Sequence, residues 1–499
     1  MKRKIVLAIC LVIWSCGMNG LRCELRPNVG TPPTDKNEYS KILFTPGKMV
    51  NVDLDMPEDT WKEFLAKASE KTYHECTVTI NGEQLTPVAI RTKGASSLDD
   101  VKMMKSDRFS FTLNLNKYKK GQKYHGLSKL LLNNNIWDAT QMKDAIVYDM
   151  CRFIGLPAPL TNYACVKLNG KLFGYYLLVE PIDKNFCQRN WPDEVTNIYK
   201  PYHNLAYTGE ELSKYKEISS YAKVNGDEAS MQRVVAALRS VDEGKDIEKH
   251  VDIESVMKYM ALQTIVVNFD CMTGHNTQNY YLREAEGRIS LIPWDYNLAW
   301  GGYPDDEGDW DGDMPFMGGF PNFGQPNFGF PDSQNFESPD SVAPWFQGFG
   351  FGLPDNPGVR SKEDVSKIVN FPIDTPFSAN LSQRTFFMKL LANKQFKARY
   401  YHYLNQLCNK YILGGELLKT FKSINKEIGQ VAGTEANAFY TNEQFHKGQQ
   451  TFRLVLEKRA ASVLGQINGK IPATWDGQKE KPQLLINSDD INLQELGGI

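Results

Sequence analysis

The stretch NFDCMTGHNTQNYYLREAEGRISLIPWDYNLAW, residues 268–300, decides how the chain is read. An Asp (Asp270) ends an apolar segment, and a polar loop with His275, Asn276 and Asn279 follows. YYLREAEGRISLI has the pattern of a β-hairpin, and a second Asp, Asp295, stands just beyond it in PWDYN. Carboxylate, amide, hairpin, carboxylate is an order that suits a metal–nucleotide site. One carboxylate orients a nucleophile, while an amide and a second carboxylate hold a divalent cation. Asn279 directly precedes the strand YYL and is preferred as the amide. Asn276 competes for that role as a turn residue, and His275 reads as a neutral ring bonded to loop backbone.

Working outward, the 499 residues are 41% hydrophobic and 23% charged, which is a globular composition with room for more than one core. The net charge of −2 gives no electrostatic footprint for nucleic acid. Lys2, Arg3 and Lys4 precede an apolar run, Ile5 to Trp14, that is too short to span a bilayer and reads as an export signal. Ser15-Cys16-Gly17 raises the alternative of a lipoprotein signal cleaved before Cys16, the only membrane attachment expected. The cysteines beyond the signal show no CxxC pairing, so a zinc site is not expected and most read as small buried hydrophobes.

Residues 24–40 are polar and Pro-rich, a linker. KMVNVDLD alternates as a strand, and PEDTWKEFLAKASE is a short amphipathic helix. HECTVTINGEQLTPVAIRTKG predicts two strands about an Asn-Gly turn, followed by RTKGASS as a loop. RFSFTLNLNKY and LSKLLLNNN are further strands. Asp138 or Thr140 is positioned to cap the helix ATQMKDAIVYDMCRFIG, and TNYACVKLNGKLFGYYLLVEPID is a second Asn-Gly hairpin. Beyond Asp183 the patterns turn helical, at 228–238, 253–268 and in two long stretches after Leu381. Residues 301–358 are Gly-, Pro- and Phe-rich and read as an insertion loop. The acidic run DDEGDWDGD within it lacks the Gly and terminal Glu of a calcium loop and reads as a solvated face. The segment after Ala473 is expected to be extended or disordered.

RTKGASS (91–97), RFSFTLNLNKY (108–118), GLSKLLLNN (126–134), NGKLFGYYLLVEPID (169–183), NIYK (197–200), NFD…HNTQNYYL (268–282) and IPWDYN (292–297) stand in one order. In that order they resemble the CotH family of atypical protein kinases. The resemblance implies an α+β, two-lobed kinase-like fold. Its strand-rich N-terminal lobe would take 41–183 and its helical C-terminal lobe 184–472, between the signal at 1–23 with its linker and a tail at 473–499. It implies a secreted or coat-associated enzyme that uses ATP and Mg²⁺ (or Mn²⁺) to phosphorylate Ser or Thr of an exported protein. Kinase order assigns Asp270 to the acceptor hydroxyl and Asn279 with Asp295 to the metal.

For the nucleotide, Arg91, Lys93 and Gly94 form a cationic turn with a close-approach glycine. The family carries Lys where this chain has Arg108. Arg108 keeps the charge for the phosphates but changes its shape and reach, with Lys105 as a substitute. Glu180, ending LLVE, is a hinge residue for a ribose, a backbone amide or Lys200, or else a structural salt bridge. Trp294 is either an adenine platform or a core aromatic. The alternative function is a non-catalytic kinase-like surface or assembly protein that binds a cell-envelope partner.

Overall fold

The computed structural model describes residues 38–202, 204–274, 277–303, 361–377 and 385–498. The signal, most of the linker, His275, Asn276, the acidic run and nearly all of the 301–358 insertion lie outside the described residues.

Seven strands close into a barrel in the order β1-β2-β3-β4-β5-β7-β6. They are β1 (Val50–Asp55), β2 (His74–Ile80), β3 (Glu83–Lys93), β4 (Ser110–Asn114), β5 (Lys129–Asn133), β6 (Thr161–Leu168) and β7 (Lys171–Val179). The neighbours are antiparallel except β1 and β6, whose parallel pairing closes the ring. Asn-Gly turns join β2 to β3 and β6 to β7. Asn81, Gly82, Asn169 and Gly170 all have positive φ, the conformation that a tight hairpin of right-handed twist requires.

Strand alternation then sorts the side chains. Val88, Ile90, Phe111, Leu113, Leu130, Leu132, Tyr176 and Leu178 point inward and fill the barrel. On the other face, Leu131, Tyr163, Leu177 and Val179 join a second core made mainly by helices. Further along that outer face the residues turn polar: Arg91 and Lys93 on β3, Ser110 on β4, Asn133 on β5. The barrel thus offers the helices an apolar landing and a polar rim. The expected strand-rich region is therefore a ring and not an open sheet.

The second core gathers the helices Lys143–Phe153, Glu228–Glu243, Ile253–Val266, Thr385–Ala392, Lys394–Gln406, Glu416–Ile428 and Asn442–Ile467. It also includes a four-stranded sheet ordered β11-β10-β8-β9, from β8 (Asn197–Tyr199), β9 (Ala222–Val224), β10 (Tyr280–Ala285) and β11 (Arg288–Pro293). Two sequence expectations change. RTKGASS is not one loop, because β3 runs to Lys93 and a helix, Ser96–Met103, begins two residues past Gly94. The segment after Ala473 is not extended. It forms a helix at Trp475–Glu480, and Ile491, Leu493 and Leu496 bury themselves in the helical core. The six cysteines among the described residues are free thiols, five of them buried, as expected of small hydrophobes. Among the described residues no helix is long and apolar enough to cross a membrane.

Away from the sheet, one ion pair ties the barrel to the helical region. Arg108, just before β4, pairs with Glu435, and both side chains are 1% exposed. Its other nitrogen donates to the Tyr175 carbonyl at 2.6 Å, and Tyr176 and Phe439 flank the guanidinium. Removing one partner strands a buried charge. Glu435→Ala is therefore expected to cost about 3–5 kcal/mol. Loss of the exposed Lys249–Asp246 pair should leave stability close to wild type, because solvent screens it. Urea unfolding midpoints of the two variants check this, and equal midpoints would remove the tie from the account.

Candidate active site

The site is built where the helix Lys143–Phe153 meets the PWDYN loop. Asp138 caps the approach to this helix, accepting from the Thr140 N–H at 3.0 Å and the Lys143 N–H at 2.9 Å. Neither of the two residues weighed for capping is the N-cap itself, which is Met142; both serve the helix start from upstream, Asp138 through the Lys143 N–H and the Thr140 hydroxyl by accepting the Met142 N–H at 3.1 Å. The helix's first turns then hold the loop at three points. Asp144 accepts the Tyr296 N–H at 2.7 Å, the Tyr148 hydroxyl accepts the Asp295 N–H at 3.0 Å, and the Lys143 ammonium donates to the Asn297 carbonyl at 3.3 Å.

Two loops converge on this clamp. Ile253–Val266 ends with Val267 at φ +44°, and Asn268 then bridges: its amide donates to the Asp295 carbonyl at 3.2 Å and its Oδ1 accepts the Asp270 N–H at 3.1 Å. The Asp270 carboxylate is oriented by Gln278, 2.7 Å from Oδ1, and by Asn279, 2.9 Å from Oδ2. The hairpin supplies the remaining order. Its turn, Glu286-Gly287, has positive φ at both residues, and Tyr280 pairs with Pro293. That register sets Asn279 and Asp295 on either side of the hairpin's open end. Both are in the left-handed region, at φ +55° and +64°, a backbone cost of order 1–3 kcal/mol each that the surrounding bonds must hold.

The charges facing one another explain the electrostatics. Burial, and then the neighbouring Asp295 charge, raise the Asp144 pKa. Lys93 reaches over from β3 and donates to Asn133 at 2.5 Å. Lys200, following β8, lies beside Tyr281 and Tyr202. Both lysines are half-buried, and enough protein surrounds them that desolvation lowers their pKa. Asp295 with Asp144 opposes that shift at Lys93, and Asp295 with Asp270 opposes it at Lys200. Lys223 on β9 is lowered first by burial, then by repulsion from Lys200, Arg91 and Lys129. Cations from β3, β5, β8 and β9 therefore crowd one rim. A Cβ at Gly94 would run into the Ser97 hydroxyl, and its φ of +108° also calls for glycine.

Among the described residues no group of three or more His, Cys, Asp and Glu side chains gathers as a metal site. A magnesium ion does not need one. It takes hard oxygen donors and keeps waters, and two neighbouring carboxylates with an amide oxygen fit it. The Asn279 amide nitrogen is committed to Asp270, which leaves its Oδ1 as the donor.

Of the residues marked in the sequence, the structure brings Asp270, Asn279, Asp295, Lys93 and Arg91 to one region, with Gly94 at its rim. Three others it does not. Arg108 is consumed by Glu435 and has no free face for a phosphate, and the cation facing Asp295 and Asp144 is Lys93. Glu180 is 0% exposed and saturated. Arg189 grips it at 3.0 and 2.6 Å, Tyr39 donates at 2.5 Å, and the Leu160 N–H donates at 3.1 Å. It is the structural salt bridge, with Arg189 and not Lys200 as partner. Trp294 packs edge-on against Tyr281 in the core, with 7% exposure, and offers no platform. Sequence reading missed Asp144, Tyr148 and Lys143. The signal available was two adjacent charged residues, Lys143 and Asp144, standing directly before the apolar run Ala145-Ile146-Val147.

A family model described as CotH kinase protein matches residues 90–463. Inner spore coat protein H of Bacillus subtilis (strain 168) is 25% identical over 188 residues, 36% of this chain and 51% of that protein. The match thus spans about half the length of that relative. Among solved structures, the Shewanella oneidensis MR-1 toxin–antitoxin complex of HipA, HipB and operator DNA is 12% identical. It covers 83% of this chain and 84% of that chain at a TM-score of 0.29, too low to support a statement about fold.

The clamp has a direct test. Tyr148→Phe keeps the ring against Tyr296 but leaves the Asp295 N–H without its acceptor, and Asp144→Ala does the same to the Tyr296 N–H. Each is expected to lower stability by about 1–3 kcal/mol in urea unfolding. Wild-type midpoints for both would mean that the loop holds itself.

Proposed function

This chain belongs to the CotH kinase protein family, and from that premise we propose that it is a metal-dependent protein kinase with a two-lobed, kinase-like arrangement. It transfers the γ-phosphoryl of ATP to Ser or Thr of an exported protein, outside the cytoplasm. The observation that carries this reading is the convergence of Asp270, Asn279 and Asp295 below a rim of cations.

Asp270, fixed by Gln278 and Asn279, accepts a hydrogen bond from the acceptor hydroxyl and aims its oxygen at the phosphorus. Lys93 and Lys200 offset phosphate charge in a partly desolvated setting, where a fixed charge counts for more than in water. Arg91 extends the same field outward, and Gly94 lets backbone approach closely. A divalent cation held by Asp295 and the Asn279 amide oxygen would supply further neutralisation of the phosphates. Asp144 keeps its metal-side neighbour in position through the Tyr296 N–H. Little covalent work falls to the protein, so positioning accounts for most of the rate.

The relative's name, an inner spore coat protein, favours a second reading: a non-catalytic kinase-like surface or assembly protein at the cell envelope. Thermal-shift titration with ATP and Mg²⁺ separates the two. A melting temperature that climbs with ligand supports the nucleotide site, and none at millimolar ligand supports the scaffold.

Incubation with labelled ATP and Mg²⁺ or Mn²⁺, followed by phosphosite mapping, tests the chemistry. Asp270→Ala is expected to slow transfer by about 10²–10⁴-fold. Asp295→Ala should lose it together with the metal dependence. Undiminished transfer in both variants would sink the assignment.

A further inference from the structure

The barrel and the helices meet a second time, on another face of the Lys143–Phe153 helix. Whereas Asp144 and Tyr148 face the Asp295 loop, Ala145, Asp149 and Arg152 line a separate cavity of about 230 Å³. β6 and β7 form a second wall, the Glu416–Ile428 helix a third, and the loop at Pro46 a fourth. That loop is fixed from below by Asn162, whose amide donates to the Leu43 carbonyl at 2.7 Å and the Lys48 carbonyl at 2.8 Å.

Two carboxylates enter this cavity, and they differ. Asp149 is fully engaged. The Tyr411 and Thr420 hydroxyls each donate to it at 2.7 Å, and Arg152 pairs with it at 3.1 Å. Glu427 is not. Its Oε2 accepts the Gly47 N–H at 3.0 Å, and the Tyr163 N–H also favours its charge. Its Oε1 is buried and has no hydrogen-bond partner among the described residues. Burial pushes the Glu427 pKa up to about 7, the response of a carboxylate short of counter-charge. The two lining cations do not supply that charge, since Arg152 is turned to Asp149 and Lys419 to Glu416. An unmatched buried acceptor above an apolar floor of Ala145, Leu177 and Ile424 calls for a donor carried on a short hydrocarbon body.

We propose that this cavity binds a small organic amine, with its ammonium on the Glu427 carboxylate and its hydrocarbon part on Ala145, Leu177 and Ile424. A charge-assisted bond is roughly twice as strong as a neutral one, which selects an ammonium over an alcohol. The volume equals that of roughly seven or eight waters, enough for an amine of similar heavy-atom count. The site shares no residue with the Asp270–Asp295 cluster and does not depend on the phosphotransfer reading. Occupancy joins barrel, helices and the Pro46 loop, so it should raise the stability of the whole chain.

The experiment is thermal unfolding of the full chain, titrated with butylammonium chloride at constant ionic strength, with 1-butanol as the uncharged control. A saturable rise of about 2–4 °C is expected for butylammonium and none for butanol. Glu427→Gln should abolish the rise, and so should Ser423→Phe, which places a ring in the cavity. If Glu427→Gln fails to fold, Ser423→Phe and the amine–alcohol contrast in the wild type decide. No saturable rise, an equal response to butanol, or a rise that survives either folded variant would overturn the proposal.

Discussion

The grip of the Lys143–Phe153 helix on residues 295–297 is the constraint on which the rest of the site depends. Asp295 sits at positive φ, at the end of a strand, with a carboxylate next to another carboxylate. Left alone, such a residue would relax toward an ordinary turn. Three bonds from one helix prevent that: one to the Asp295 N–H, one to the Tyr296 N–H, one to the Asn297 carbonyl. Because successive backbone groups are held, the loop can neither rotate nor slide. Asn268 then carries the same order to Asp270, so the position of one acid is referred to the other through a single amide. A residue that touches no ligand, Tyr148, is thus as much a part of the site's geometry as one that does.

The barrel has two tasks, and strand alternation lets it perform both. Its interior positions are apolar and close-packed, which gives a rigid frame. Its exterior positions change character along β3, β4 and β5, from apolar contact with the helices to Lys93, Ser110 and Asn133. A ring has no free edge on this side, so Lys93 is displayed from a strand that is paired on both sides. Arg108 belongs to the same logic at another point of the ring. It spends its charge on Glu435 to anchor barrel to helices, and that is why it is lost to any phosphate.

Much of this was legible in the sequence where the information is local. Asn81-Gly82 and Asn169-Gly170 named their turns, and the alternation of VNVDLD and SFTLN named their strands. Asp270, Asn279 and Asp295 stood out because they punctuate apolar segments. What stayed hidden is what needs a partner far along the chain. KDAIVYDMCRF reads as an ordinary buried helix, and nothing in it says that Asp144 and Tyr148 address a loop some 150 positions later. Arg108 looked like a phosphate ligand because Glu435, 327 positions away, is invisible to a local reading. The end of the chain read as extended because its three core residues, Ile491, Leu493 and Leu496, are scattered among polar ones and show no period.

The charge distribution around the cluster carries a last consequence. Arg91, Lys93, Lys129, Lys200 and Lys223 come from four different strands or strand ends, yet they repel one another across one rim. The facing anions, Asp144, Asp270 and Asp295, are themselves crowded, and the Asp144 and Asp270 carboxylates are committed to backbone or amide partners. Neither set neutralises the other in full, and each is partly desolvated, so the arrangement costs stability when nothing is bound. A polyanion that meets the cations while a divalent cation meets the acids relieves both repulsions at once. A single simple ion relieves only one. On electrostatic grounds alone, then, the two ligands should favour each other's binding, and the site is suited to take them together.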